Sequence, residues 1–150
     1  MSDTLHSVWL LGLLFMHFCG LALGVGAGFA LVALSFAGKD LPPEERSKFM
    51  LRAAVVAKNG SVGFGMLVMS GLGLLFTRGP AVVMAWGGPP FHAKLTLVVV
   101  MAGVLGYLQV LLKRARLAGG GPALVSAGKV GRVMLVLGLI VIALAVAAFK

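Results

Sequence analysis

The chain has 150 residues, of which 60% are hydrophobic and only 11% are charged. Soluble domains are about 45–50% apolar and about 25% charged, so this composition excludes an ordinary soluble domain. The net charge of +9 is typical of nucleic-acid-binding proteins, but so short and apolar a chain leaves no room for an extramembrane domain that would bind nucleic acid.

Four apolar runs predict four membrane-spanning helices. They cover about 8–36, 54–76, 91–112 and 133–149, and a helix needs about 20 apolar residues to cross the hydrocarbon core. The connections between them are short, as antiparallel neighbours in an up-down bundle require. We therefore predict an all-α, integral membrane four-helix up-down bundle, which forms a single transmembrane domain over residues 1–150.

The first apolar run places a histidine on a face of small residues. Gly20, Gly24 and Gly28 follow His17 at helical spacing, and the four positions fall within an arc of roughly 80°. Because an ionisable group at membrane depth is costly without a partner or a cavity, we expect His17 to point into the bundle. There, its imidazole is either a ligand for haem iron, copper or zinc, or a hydrogen-bond partner of another helix.

Proline and glycine mark the connections. Pro42 and Pro43, followed by Glu44 and Glu45, predict that the second helix begins near Pro43 and runs continuously into its span. TRGPAVVMAWGGPP, at 77–90, is predicted to be the outer connection. LAGGGPALVSAGKVGR, at 117–132, is predicted to be a flexible inner loop because of its Gly, Pro and Ser content.

The basic residues are distributed unevenly between the two sides of the predicted bundle. Only Arg78 and Lys150 fall on one side, and we predict that this side faces outward together with both termini. We therefore predict a multi-pass protein of the inner (cytoplasmic) membrane, whose basic loops meet anionic headgroups. The basic residues of the cytoplasmic side are Lys39, Arg46, Lys48, Arg52, Lys113, Arg114, Arg116, Lys129 and Arg132.

The third apolar run opens with a second intramembrane histidine, in FHAKL. His92 and Tyr107 share one side of a regular helix, whereas Lys94 lies roughly 200° from His92. The Lys94 ammonium either extends to the interface or pairs with a carboxylate such as a porphyrin propionate. His17 and His92 are both predicted in the outer half of the membrane, where one site has room for both. Gln109 is predicted to form an interhelical hydrogen bond.

Three features resemble the HemJ-type protoporphyrinogen oxidases and, more loosely, the CopD-type membrane domains. They are the helix-one histidine followed by small residues in MHFCGLALGVGAG, the H-x-K-L opening of FHAKL, and Gly106-Tyr107 before the basic LLKRARL. The resemblance implies b-haem binding and oxidation of protoporphyrinogen IX to protoporphyrin IX. Carried over by motif, His17 and His92 are the candidate iron ligands and Lys94 the candidate catalytic residue. Lys94 and Tyr107 join the histidines in the candidate cofactor site.

The leading expectation is thus a small haem-binding membrane redox protein. It would oxidise protoporphyrinogen IX or a related tetrapyrrole and pass electrons to a membrane acceptor such as a quinone. Small-residue faces on three helices favour a homo-oligomer. Two alternatives stay open: a non-enzymatic partner subunit or assembly factor, and a CopD-like copper-handling protein that uses Met16, Met66 and Met69 as soft donors.

Overall fold

Five helices account for most of the chain in the computed structural model, which describes residues 3–147. Four segments are long and apolar enough to cross a membrane, so the predicted all-α membrane bundle is confirmed. The last residues of the predicted fourth span, 148–149, lie outside the described part. The helices are α1 (Asp3–Ala37), α2 (Pro43–Ala53), α3 (Val56–Arg78), α4 (Pro80–Leu117) and α5 (Pro122–Ala147).

The second span begins where the sequence predicts. Pro43 occupies the first turn of α2, and Glu44 and Glu45 follow at its positive N-terminal end. At residues 54–55 the helix tightens rather than ends. The Val55 amide donates to the Arg52 carbonyl at 3.2 Å, and the Lys58 amide to the Val55 carbonyl at 3.0 Å, which are the three-residue steps of a 3₁₀ turn. α2 and α3 together therefore form one nearly continuous helical segment, as expected.

The inner loop is much shorter than predicted. Only residues 118–121 separate α4 from α5, because α5, which contains the fourth predicted span, begins at Pro122 instead of near 133. Gly119, Gly120 and Gly121 have φ values of +67°, +122° and +71°, a region that favours glycine. Proline is pre-organised for the first turn of a helix. The Gly and Pro signal therefore marks a sharp turn and a helix start, and the prediction of a loop over 117–132 is wrong.

The outer connection is also largely helical. Gly79, with φ +86° and ψ +116°, separates α3 from α4. α4 then starts at Pro80 and is interrupted at Gly88, where φ is +54° and ψ −161°. A short helical segment therefore precedes the span that runs from Phe91 to Leu117.

The helices associate as two close pairs. α1 packs along α3 and α4 along α5, whereas the contacts between α1 and α5 and between α3 and α4 are much smaller. Glycine permits the α1–α3 crossing. A Cβ atom added to Gly63 would lie 2.5 Å from the Gly24 nitrogen and 2.6 Å from the Gly20 oxygen. The two backbones are therefore in direct contact, as the small-residue face predicts.

Apolar side chains close the bundle at one end. This basic end carries the 38–42 and 118–121 connections and most of the basic residues. The closing cluster contacts Leu31, Leu105 and Val130, which are partly buried. We call it the basic-end cluster; its members are Ala54, Ala57, Leu108, Leu111, Leu112 and Ala127.

Candidate ligand-binding cavity

A cavity of about 630 Å³ lies between the two helix pairs. We call it the central cavity. Residues of α1, α3, α4 and α5 line it, from Ala57 and Leu108 of the basic-end cluster to Arg78 at the opposite end. Pockets of about 300–1,000 Å³ are typical of small-molecule and cofactor sites. The packing of the four spans thus leaves room for one ligand of that size.

Small residues on three helices create this space. They include Gly24 and Gly28, two of the glycines that the sequence places beside His17, and a Cβ atom added to Gly24 would meet nothing within 4 Å. A Cβ atom added to Gly71 would lie 3.7 Å from the His17 Cε1 atom. A flat ligand can therefore approach the backbone of both helices next to the imidazole. The glycines that line the cavity are Gly24, Gly28, Gly60, Gly71, Gly131 and Gly138.

Three titratable side chains line an otherwise apolar cavity. His17 comes from α1, Arg78 from the last turn of α3 and Lys94 from the span of α4. Lys94 is half-buried and close enough to His17 for the two side chains to interact electrostatically. Within the described lining, no carboxylate accompanies the two cations. The cavity therefore suits an apolar ligand that carries negative charge at one edge.

His17 is held by a hydrogen bond to α3. Its Nδ1 atom lies 2.9 Å from the hydroxyl oxygen of Ser70, a side chain that is fully buried. The Ser70 hydroxyl donates its single hydrogen to the Met66 carbonyl at 2.6 Å. While the hydroxyl donates to this carbonyl it accepts from His17, and this arrangement corresponds to the tautomer with the proton on Nδ1.

This tautomer determines what the imidazole offers to a ligand. With the proton on Nδ1, the lone pair of the ring is on Nε2. A metal-ligating histidine usually has one ring nitrogen held by a hydrogen bond and a free lone pair on the other.

The two other candidate site residues of α4 lie elsewhere. His92 is exposed, and its ring packs edge-on against Phe91 with the ring centroids 6.3 Å apart. Tyr107 is 56% exposed. Neither residue lines the central cavity. The structure therefore brings His17 and Lys94 together and leaves His92 and Tyr107 on the opposite face of α4, as the angular separation of His92 and Lys94 predicts.

Two residues of the site are not singled out by the sequence: Ser70, which is bonded to His17, and Arg78, which lines the cavity. In the sequence, Arg78 is identified only as a charge of the predicted outer side. A serine in a glycine-rich span gives no signal of its own, because its partner depends on how α1 and α3 align.

Gln109 does form the predicted interhelical bond, since its Nε2 donates to the Ser61 hydroxyl oxygen at 2.6 Å.

The described residues contain no group of three or more His, Cys, Asp or Glu side chains that is able to hold a metal ion. The candidate copper donors also differ in solvent exposure. Met16 and Met66 are half-buried, whereas Met69 is 67% exposed. A protein-only metal site therefore has little support in the described residues.

The chain matches no protein-family model, and comparisons with curated proteins and with solved structures find no similar chain.

Proposed function

We propose that this protein binds haem b in the central cavity and acts as a membrane redox protein. The observation that carries the proposal is the position of His17. Its Nδ1 is bound to Ser70, its Nε2 has the lone pair, and it lines a cavity of about 630 Å³ together with Lys94. We assign the iron to His17.

The remaining features of the cavity fit a haem. The macrocycle is flat and apolar, and the wall beside His17 is formed by glycines and aliphatic side chains. The propionates are anionic, and Lys94 and Arg78 are the cations of the lining. A bound haem would supply one-electron redox chemistry, while the protein supplies the axial ligand, the orientation and the charge balance.

Haem is favoured over copper by the number of protein donors available. The porphyrin itself supplies the equatorial nitrogens, so a single histidine is sufficient to hold the iron. A copper ion bound by protein alone needs several donors around one point, and the described residues contain no group of three or more His, Cys, Asp or Glu side chains able to provide them.

The reaction that we propose is HemJ-like oxidation of protoporphyrinogen IX, or of a related tetrapyrrole. It is supported by the motif residues His17 and Lys94, which line one cavity. Lys94 would hold a substrate or cofactor carboxylate and so orient the ring. We further propose an inner-membrane location in which the basic end faces the cytoplasm, supported by the excess of Lys and Arg at that end.

An optical spectrum of the detergent-purified protein tests haem binding. We expect a Soret band and sharp α-bands after reduction with dithionite. His17→Ala should abolish them, and His92→Ala, the matched control, should keep them. A colourless wild-type protein that stays colourless after hemin is added would refute haem binding. Equal loss in both variants would refute the assignment of the iron to His17.

Protoporphyrinogen IX oxidation is then measured on the same preparations. We expect formation of fluorescent protoporphyrin IX above the rate of spontaneous oxidation by wild type and His92→Ala, and a rate at the spontaneous level for Lys94→Met. A haem-replete protein without this activity would leave a b-type cytochrome with another substrate.

A further inference from the structure

A second pocket lies on the outside of the bundle, where α3 and α4 face the lipid. It has a volume of about 530 Å³ and opens widely to the membrane. It lies between α3 and α4, which contact each other less than the pairs α1–α3, α4–α5 and α1–α5 do. Along α3 it extends from Lys58 to Phe64, which corresponds to about 9 Å at 1.5 Å per residue. We call it the lateral groove.

The polar groups of the lateral groove are concentrated near the basic end. Lys58 contributes an ammonium group, and Gln109 an amide. The Ser61 hydroxyl is already satisfied, because it donates to the Ala57 carbonyl at 3.2 Å and accepts from Gln109 Nε2 at 2.6 Å. Gln109 therefore keeps one N–H donor and its Oε1 acceptor for a ligand. The groove thus offers both donors and an acceptor to a headgroup.

The lateral groove and the central cavity share a wall. Phe64 of α3 and Leu105 of α4 line both of them. A molecule in the groove and a molecule in the cavity would consequently be separated by one layer of side chains.

We propose that the lateral groove binds the headgroup of a membrane quinone, which serves as the electron acceptor of the cavity. A quinone carbonyl accepts hydrogen bonds from Lys58 and from the free N–H of Gln109, and a quinol hydroxyl donates to Gln109 Oε1. A phosphate headgroup uses only the donors and leaves the amide oxygen unpaired. The acceptor role, although not the binding, rests on the proposed function.

The redox step balances between two molecules. Each quinone takes up two electrons and two protons and becomes the quinol, and the tetrapyrrole loses two electrons and two protons for each quinone reduced. The isoprenoid tail of the quinone stays in the lipid, which the open side of the groove allows.

Glycines on α4 supply a matched pair of variants. Gly106 lines the groove, whereas Gly103 does not, and a Cβ atom added at either position would meet nothing within 4 Å. The Cβ atom of Gly106→Leu therefore meets no neighbour and its side chain extends into the groove, whereas Gly103→Leu makes the same change elsewhere on the helix. Both variants leave the residues of the central cavity unchanged.

The experiment is photolabelling of the purified protein in nanodiscs with an azido-quinone, followed by peptide mass spectrometry. We expect labelling of residues 58–64 and 102–109, reduced about tenfold by Gly106→Leu and unchanged by Gly103→Leu. Labelling elsewhere, or equal labelling of both variants, would overturn the proposal. A third result would also overturn it: the groove peptides remain unlabelled, and native mass spectrometry shows a bound phospholipid that is lost only in Gly106→Leu. That result would assign the groove to lipid.

The haem spectrum of the same samples separates this proposal from the proposed function. Quinone labelling in a protein without haem bands would retain the binding site and refute the acceptor role. Haem bands without labelling of the groove would retain the proposed function and refute the quinone site.

Discussion

The Nδ1 atom of His17 lies 2.9 Å from the hydroxyl oxygen of Ser70, so a single hydrogen bond joins α1 to α3 at the wall of the central cavity. The bond fixes both the orientation and the tautomer of the imidazole. Ser70 is fully buried, and while its hydroxyl donates to the Met66 carbonyl it accepts from His17. In the proposed haem site Ser70 is therefore a positioning residue.

Ser70→Ala should weaken haem binding without preventing folding. Loss of a hydrogen bond behind a metal-ligating histidine typically lowers metal affinity about ten- to hundredfold, whereas one interhelical hydrogen bond in a membrane contributes only about 0.6 kcal/mol to stability. Hemin titration of the apo-protein followed by the Soret band measures the affinity. Ser61→Ala is the control, since it also removes a serine of α3 that is bonded to another helix. Equal affinities of Ser70→Ala and wild type would contradict the positioning role.

Lys94→Met should reduce the preference of the protein for ligands with free carboxylates. Lys94 is half-buried and lines the cavity, so its loss removes a charged partner of the propionates. We expect affinity for haem to fall about tenfold, or about 1.4 kcal/mol, while affinity for haem dimethyl ester stays nearly constant.

Parallel titrations with the two ligands measure this difference for Lys94→Met. Lys113→Met, which changes an exposed lysine at the basic end, serves as the control and should bind both ligands like wild type. A parallel loss of affinity for haem and for its ester would show that Lys94 supports the structure and does not recognise the carboxylates.

The fold was accessible from the sequence because its signals are local. The length and apolarity of each run predict a span, and Pro43 with Glu44 and Glu45 predicts a helix start that the structure confirms. The error at α5 has the same origin. Gly119 to Gly121 do form a turn. Gly and Pro residues are typical of loops, so the sequence predicts a loop up to residue 132, whereas Pro122 in fact begins a helix.

The candidate site was only partly accessible. Helical periodicity was sufficient to place His17 on an inward face and to separate Lys94 from His92. It gave no information about Ser70, because the hydrogen bond to His17 depends on the register between α1 and α3. Nor did it indicate the lateral groove, which exists because α3 and α4 contact each other so little. Both features depend on interhelical geometry that no single segment specifies.

Gly63→Ala should destabilise the bundle more than an alanine elsewhere on the same helix. The added Cβ atom would lie 2.5 Å from the Gly24 nitrogen and 2.6 Å from the Gly20 oxygen, and backbone atoms at a helix crossing are unable to move aside independently. Overpacking of this kind costs about 1–3 kcal/mol. Gly65→Ala is the matched control, because a Cβ atom there would meet nothing within 4 Å. Unfolding in mixed micelles with increasing SDS should show a lower midpoint for Gly63→Ala only, and equal midpoints would mean that α1 and α3 cross less closely than described.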